Sequence, residues 1–167
     1  EPKILKQIIE KRRSIYPKDY SGEAIPEAVL HEIVNSAEFA PNHKKTKPWR
    51  FKILKGEELK ALGVEMQRLY KENTPEHLFL QKKYDDFALK ISQTDAVIPI
   101  VVNFSGLLPE WEEIAAVAMA VQNMYLTCSV NNVGCYWSSH AVTAQLGEFL
   151  NLEENQKCLG LFYMGMI

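Results

Sequence analysis

The chain has 167 residues, 47% hydrophobic and 24% charged, with 8 Gly and 8 Pro; these proportions exclude a disordered, collagen-like or coiled-coil chain. Three widely spaced cysteines, Cys128, Cys135 and Cys158, form neither a disulfide framework nor a CxxC pair, which points to a reducing, cytoplasmic setting. The net charge of −2 hides an asymmetry: residues 1–60 carry 13 Lys and Arg against 9 Asp and Glu, and residues 101–167 carry 1 against 6, so a small anion is expected to be met by the first third.

Ile4, Leu5, Ile8 and Ile9 share one helical face, and Lys11, Arg12 and Arg13 follow in the last turn, where cations suit the helix dipole. Pro26 at a first helical position opens a second amphipathic helix through Val29, Leu30, Ile33, Val34 and Ala37. Pro41 and Pro48 bracket a polar loop, after which Trp49, Phe51 and Ile53 alternate with Arg50 and Lys52 as in a half-buried strand. Helices are expected from Glu57 to Lys71 and from Leu78 to Ile91, with a break near Thr74 and Pro75. Ala96 to Phe104 is a continuous Val- and Ile-rich run, the signature of a strand covered on both faces.

Pro109 opens a helix to Val130 that is apolar nearly all round, with Ala115, Ala116, Ala118 and Ala120 allowing close approach, so it is expected at the centre of the fold. The longest apolar stretch, Ile114 to Val133, is interrupted by Gln122, Asn123, Asn131 and Asn132, so it is not a membrane span. Gly134–Trp137 reads as a strand, Thr143–Leu150 as a helix and Leu159–Met164 as a last strand. The pattern is α+β in a single domain, residues 1–167, without repeats or a linker. No signal peptide stands at the start; the sequence begins at Glu1 rather than Met, so preceding residues are expected.

Three segments can carry chemistry. Arg12-Arg13-Ser14 offers two guanidiniums and a hydroxyl to a dianionic phosphate, or serves only as a solvated turn at a helix end. The loop from Pro41 through Asn42 and His43 to Pro48 gathers amide, imidazole and ammonium donors that suit a phosphate or an electron-rich ring edge, or is a surface turn. Trp137-Ser138-Ser139 leaves an apolar strand for a polar turn, a place where backbone N–H groups and an aromatic platform meet ligands. A hydrolase built on Cys135 or Ser138 with His140 lacks both the nucleophile elbow and a partner acid. Four scattered histidines give no metal site; GxGxxG and P-loop motifs are absent, and acids interleaved with the bases argue against a nucleic-acid partner.

Taken in order, Lys11-Arg12-Arg13-Ser14, Ala40-Pro41-Asn42-His43-Lys44, Lys47-Pro48-Trp49-Arg50-Phe51, Trp111-Glu112 before an Ala-rich helix, and Gly134-Cys135-Tyr136-Trp137-Ser138-Ser139 resemble the flavin-dependent nitroreductase family, closest to its short NAD(P)H nitroreductase members. The resemblance implies a central, mainly antiparallel sheet flanked by helices, an obligate homodimer, and FMN at each end of the dimer interface. Arg12, Arg13 and Ser14 then match a phosphate-binding turn, Pro41, Asn42 and His43 a loop that reaches the flavin from the partner, and Trp137, Ser138 and Ser139 the segment along the isoalloxazine ring. The implied activity passes reducing equivalents from NAD(P)H to a nitroaromatic, quinone or similar flat acceptor, with chemistry on the flavin and no catalytic side chain. The alternatives are another flavin reaction such as dehalogenation, or a non-catalytic flavin carrier. The stretch from Tyr70 to Tyr84 is expected to shape the acceptor pocket. The family's tail beyond the last strand has no counterpart before Ile167, so either Arg12 and Arg13 carry the phosphate or a further segment completes the site.

Overall fold

The computed structural model describes residues 1–167. β1 (Trp49–Arg50), β2 (Ala96–Asn103), β3 (Val133–Ser138) and β4 (Gln156–Met166) form one sheet in the order β1-β2-β4-β3, every neighbouring pair antiparallel. Five helices accompany it: α1 (Pro2–Lys11), α2 (Glu27–Ser36), α3 (Gly56–Asn73), α4 (Gln81–Ser92) and α5 (Glu110–Val130).

Strand β2 reads as an unbroken apolar run because both of its faces are covered. Ala96, Ile98, Ile100 and Val102 point into a core shared with α2 and α5, through Leu30, Ile33, Val117, Val121 and Met124. Val97 and Val101 point the other way, into a second core with Leu62 and Met66 of α3 and Phe87 and Ile91 of α4. Each of these Val, Ile, Leu, Met and Phe side chains contributes roughly 1.5–3 kcal/mol on burial, and a one-residue slip would exchange the two faces of the strand.

Strand pairing slips by one residue between Ile100 and Val101, opposite Gly160 and Cys158. The bulge turns Gly160 to φ 155°, and a Cβ there would stand 2.5 Å from the Ser138 carbonyl oxygen and overlap the Trp137 indole. Only glycine lets β4 pass this close beneath the end of β3.

Several boundaries differ from the sequence expectation. Trp49 to Ile53 does not pair throughout: only Trp49–Arg50 joins β2, and Leu54 makes one isolated bridge to Val97. α2 begins at Glu27, with Pro26 left extended before it at ψ 137°. α4 begins at Gln81 because Glu76–Leu78 closes a separate 3-10 turn and the Leu80 N–H donates to the Tyr70 hydroxyl. The expected helix Thr143–Leu150 is a 3-10 turn, Ala141–Gln145, in which the Val142 N–H donates to His140 Nδ1 and the Thr143 hydroxyl to the His140 carbonyl. β4 begins earlier than expected, where the Gln156 side chain donates to Asn103 Oδ1 at 2.9 Å.

Two apolar faces stay uncovered within one chain. α1 has no buried residue, with Ile4, Leu5 and Ile9 between 51% and 60% exposed. α5 buries Ala116, Val117, Ala120, Val121, Met124 and Cys128 but leaves Trp111, Ile114, Ala115, Ala118 and Met119 exposed, so cover on every side is not achieved by this chain alone. No helix is long and apolar enough to cross a membrane.

Candidate functional site

The chain leaves α1 at Arg12, which takes an extended conformation (φ −51°, ψ 128°) and ends the helix. The segment that follows is tied to the sheet: the Ile15 N–H donates to the Cys135 carbonyl at 3.0 Å, and the Tyr20 hydroxyl shares its one proton between the Ile15 and Tyr163 carbonyls at 3.0 and 3.2 Å. Tyr20 packs flat on Gly165, where any Cβ would collide with its ring. Residues 12–15 are thereby fixed beside the last residues of β3.

Tyr125, on α5, joins these two segments. Its hydroxyl accepts the Trp137 N–H at 2.7 Å, its ring carries the Arg12 guanidinium 5.2 Å from the centroid, and Ser14 faces the same hydroxyl. Burial pushes the Tyr125 phenol above its ordinary pKa, against the opposing pull of Ser14, so it remains a neutral hydrogen-bonding group. The indole N–H of Trp137 donates to the Leu159 carbonyl at 3.3 Å, fixing the ring over the bulge.

This cluster is rich in unused donors. The backbone N–H groups of Arg13, Ser14, Ser139 and His140 donate to no group in the chain. With Arg12 and the Ser14 hydroxyl they form a set suited to a phosphate at the turn and to polar ring atoms at the strand end. Arg13 differs from Arg12: its guanidinium folds back onto the carbonyls of Glu10 and Arg12 at 2.7 and 2.8 Å, closing the end of α1.

Pro41, Asn42 and His43 lie elsewhere. They border a hollow of about 350 Å³ against Trp111, Glu112, Ala115 and Met119 at the start of α5. His43 Nδ1 stands 2.7 Å from Glu112 Oε2. Glu112 and Tyr125 are separated by about 20 Å along the helix axis. Within one chain, then, Arg12, Ser14, Trp137, Ser138 and Ser139 converge, while Pro41, Asn42 and His43 do not join them.

The 42–47 loop is nevertheless held in a single, costly shape. Lys44, Lys45 and Lys47 take left-handed φ values of 53°, 54° and 43°, each costing on the order of 1 kcal/mol. Asn42 Oδ1 accepts the Lys47 N–H, and Glu38 accepts from both the Lys47 ammonium at 2.6 Å and the Trp49 indole at 2.8 Å. Those two bonds, Lys47 first, hold the Glu38 carboxyl below the usual carboxylate range. Asn42 and Glu38 together hold the strained loop in this shape.

Sequence reasoning missed Tyr125 and the pairing of Glu112 with His43. The one available signal was that Tyr125 is the single tyrosine of α5.

The nitroreductase family model matches residues 9–166. A Bacillus subtilis (strain 168) relative named "Putative NAD(P)H nitroreductase YfhC" is 24% identical over 166 residues, covering 97% of this chain and 84% of its own. The crystal structure of a nitroreductase-like family protein from Bacillus cereus superimposes with a TM-score of 0.85 at 26% identity, covering 98% of this chain and 85% of that one. The FMN-dependent nitroreductase NfnB from Mycobacterium smegmatis, in complex with NADPH, shares the fold with a TM-score of 0.80 at 14% identity, covering 99% of this chain and 88% of that one.

Proposed function

Because the chain belongs to the nitroreductase family, we propose that it is an FMN-dependent oxidoreductase taking reducing equivalents from NADH or NADPH and passing them to a nitroaromatic, quinone or similar flat acceptor. The observation that carries this reading is the convergence of Arg12, Ser14 and Trp137 on Tyr125, with unused backbone N–H groups at Arg13 and Ser14 in the turn and at Ser139 and His140 just past the strand end. The donor set fits FMN at both ends: cationic and N–H donors for a dianionic phosphate, and N–H donors beside an aromatic platform for a ring. When bound, FMN supplies the hydride chemistry. Arg12 would neutralise the phosphate, the Ser14 hydroxyl and the Arg13 and Ser14 amides would orient it, and the Ser139 and His140 amides would donate to polar ring atoms. No side chain in the cluster is required to act as an acid or base.

The site belongs to a homodimer in this reading. The uncovered face of α5 needs a partner, and a twofold axis lying in that interface and perpendicular to the helix would run the two helices antiparallel. That arrangement carries the partner's Pro41, Asn42 and His43 toward the Tyr125 end of the first helix, closing the roughly 20 Å gap that separates them in one chain. Residues 1–167 act as one domain, since both cores share β2 and β4. Three free, buried cysteines suit a cytoplasmic setting.

The deciding experiment is to purify the protein, release bound cofactor by heat, identify it by mass, and follow its anaerobic reduction by NADH and NADPH. The expected result is close to one FMN per chain, bleached by at least one nucleotide and reoxidised by a nitroaromatic or quinone. A colourless protein that takes up no FMN overturns the reading.

A further inference from the structure

A cavity of about 550 Å³ opens beside the end of β3, between the C-terminal half of α3, the Glu76–Leu78 turn and the Ala141–Gln145 turn. Its volume is in the range of small-molecule sites, about 300–1,000 Å³. Leu69, Leu78, Leu80 and Val142 supply apolar wall, and Tyr70 supplies an aromatic ring held in place by the Leu80 N–H. The ionisable side chains that line it, Tyr70 aside, are His77, Lys83 and His140; no carboxylate is among the lining residues.

His140 is built to donate. Its Nδ1 accepts the Val142 N–H at 3.2 Å, which leaves the ring proton on Nε2, and Nε2 has no partner in the chain. The ring is wedged edge-on against Phe87 at 5.1 Å and Tyr70 at 6.4 Å. Burial first, then the Lys83 and Lys90 ammoniums, push the His140 pKa down, so the imidazole is neutral near pH 7 and two cations bear on the same spot. His140 also directly follows Ser139, so the cavity starts where the proposed flavin-facing segment ends.

We infer that this cavity takes the acceptor and selects a planar aryl carboxylate, its ring against Tyr70 and the leucine wall and its carboxylate between Lys83 and the His140 Nε2–H. The location as an acceptor site rests on the flavin reading; the preference for an aryl anion rests on the cavity alone. Asn73, Thr74 and Gln145 add neutral polar groups to the lining; an apolar wall facing a lysine and two histidines, with no acid opposing them, stabilises one negative charge on a flat apolar body.

Calorimetric titration of the protein as purified with benzoate and with benzamide, its uncharged counterpart, tests this. Benzoate is expected to bind at least tenfold more tightly, about 1.4 kcal/mol, and Lys83→Gln is expected to erase most of that preference while leaving benzamide affinity unchanged. Lys83 is exposed on α4, so the variant is expected to fold; its Tm is read alongside. Equal binding of the two probes, or a preference for benzoate that survives Lys83→Gln, overturns the inference. Flavin absorbance of the same samples separates the two readings: FMN-loaded protein indifferent to the charge sinks the cavity assignment alone, whereas flavin-free protein that still prefers benzoate through Lys83 sinks the flavin reading alone.

Discussion

Tyr125→Phe isolates the junction on which the proposed FMN site depends. The substitution keeps the ring under the Arg12 guanidinium and removes only the hydroxyl, which accepts the Trp137 N–H at 2.7 Å and faces Ser14. An N–H left without an acceptor costs about 1–3 kcal/mol, and because Trp137 and Tyr125 are only half-buried the lower half of that range applies. At about 2–4 °C of Tm per kcal/mol for a chain of this size, the expected drop is about 2–8 °C. The freed Trp137 amide and Ser14 loosen both ends of the site, so FMN affinity should fall about fivefold to tenfold, or about 1–1.4 kcal/mol. Differential scanning calorimetry and fluorescence titration of the apoprotein with FMN measure the two effects separately. Tyr125→Leu, which also removes the face beneath Arg12, should lose more affinity than Tyr125→Phe. An FMN Kd within twofold of wild type for both variants, with Tm lowered, would falsify the organising role and leave Tyr125 as packing alone.

Arg12→Ala should carry most of the affinity lost in an Arg12→Ala, Arg13→Ala double variant, because Arg13 is already committed to the α1 carbonyls; equal losses from the two single changes, read by FMN titration, refute this. Gly160→Ala should lower Tm by several degrees and reduce FMN content, since its Cβ meets the Ser138 backbone and no rotamer relieves it; unchanged values for both would show that the bulge relaxes freely. His43→Ala should weaken FMN binding or slow flavin reduction about fivefold with Tm nearly unchanged, as expected of an exposed side chain acting across an interface; stopped-flow reduction by both nucleotides checks it. His140 has a folded pKa depressed below its ordinary 6.5, so the folded state binds its proton less readily than the unfolded one. Its contribution to stability is full above about pH 6.5 and is lost as pH falls through the folded value. Tm measured from pH 7.5 to pH 5 should fall less steeply in His140→Gln than in wild type.

Much of this architecture was legible in the sequence for identifiable reasons. β2 stood out because a strand covered on both faces needs no polar residues, and α5 stood out because its inner face and its uncovered face are both apolar. β1 was overestimated because side-chain alternation reports which way residues point, not whether a neighbouring strand is there to pair with. The Ala141–Gln145 turn was read as a longer helix because two side-chain hydrogen bonds around His140, invisible to periodicity, tighten it. At the site, residue types and their order pointed to the phosphate turn and the strand end. Distance along α5, and with it the separation of His43 from Arg12, is a property of the folded chain alone. Tyr125 escaped notice because its role is to join two segments that the sequence keeps more than a hundred residues apart.

The uncovered face of α5 and the distant 41–43 loop are two consequences of one arrangement. If the partner's loop completes the FMN site and the same α5 face makes the dimer, then cofactor binding and dimerisation are linked equilibria. Whatever factor FMN binding adds to dimer stability, dimerisation must add to FMN affinity. The strain stored at Lys44, Lys45 and Lys47 fits this linkage, because a loop already held in its contact shape loses little further entropy when the partner's ring arrives. A substitution such as Ala118→Lys, which puts a charge on the exposed face of α5 at a position that lines neither the hollow of the 41–43 loop nor the Arg12–Trp137 cluster, should therefore weaken FMN binding only by way of the dimer. Its deficit should shrink as protein concentration rises, whereas the deficit of Arg12→Ala should not.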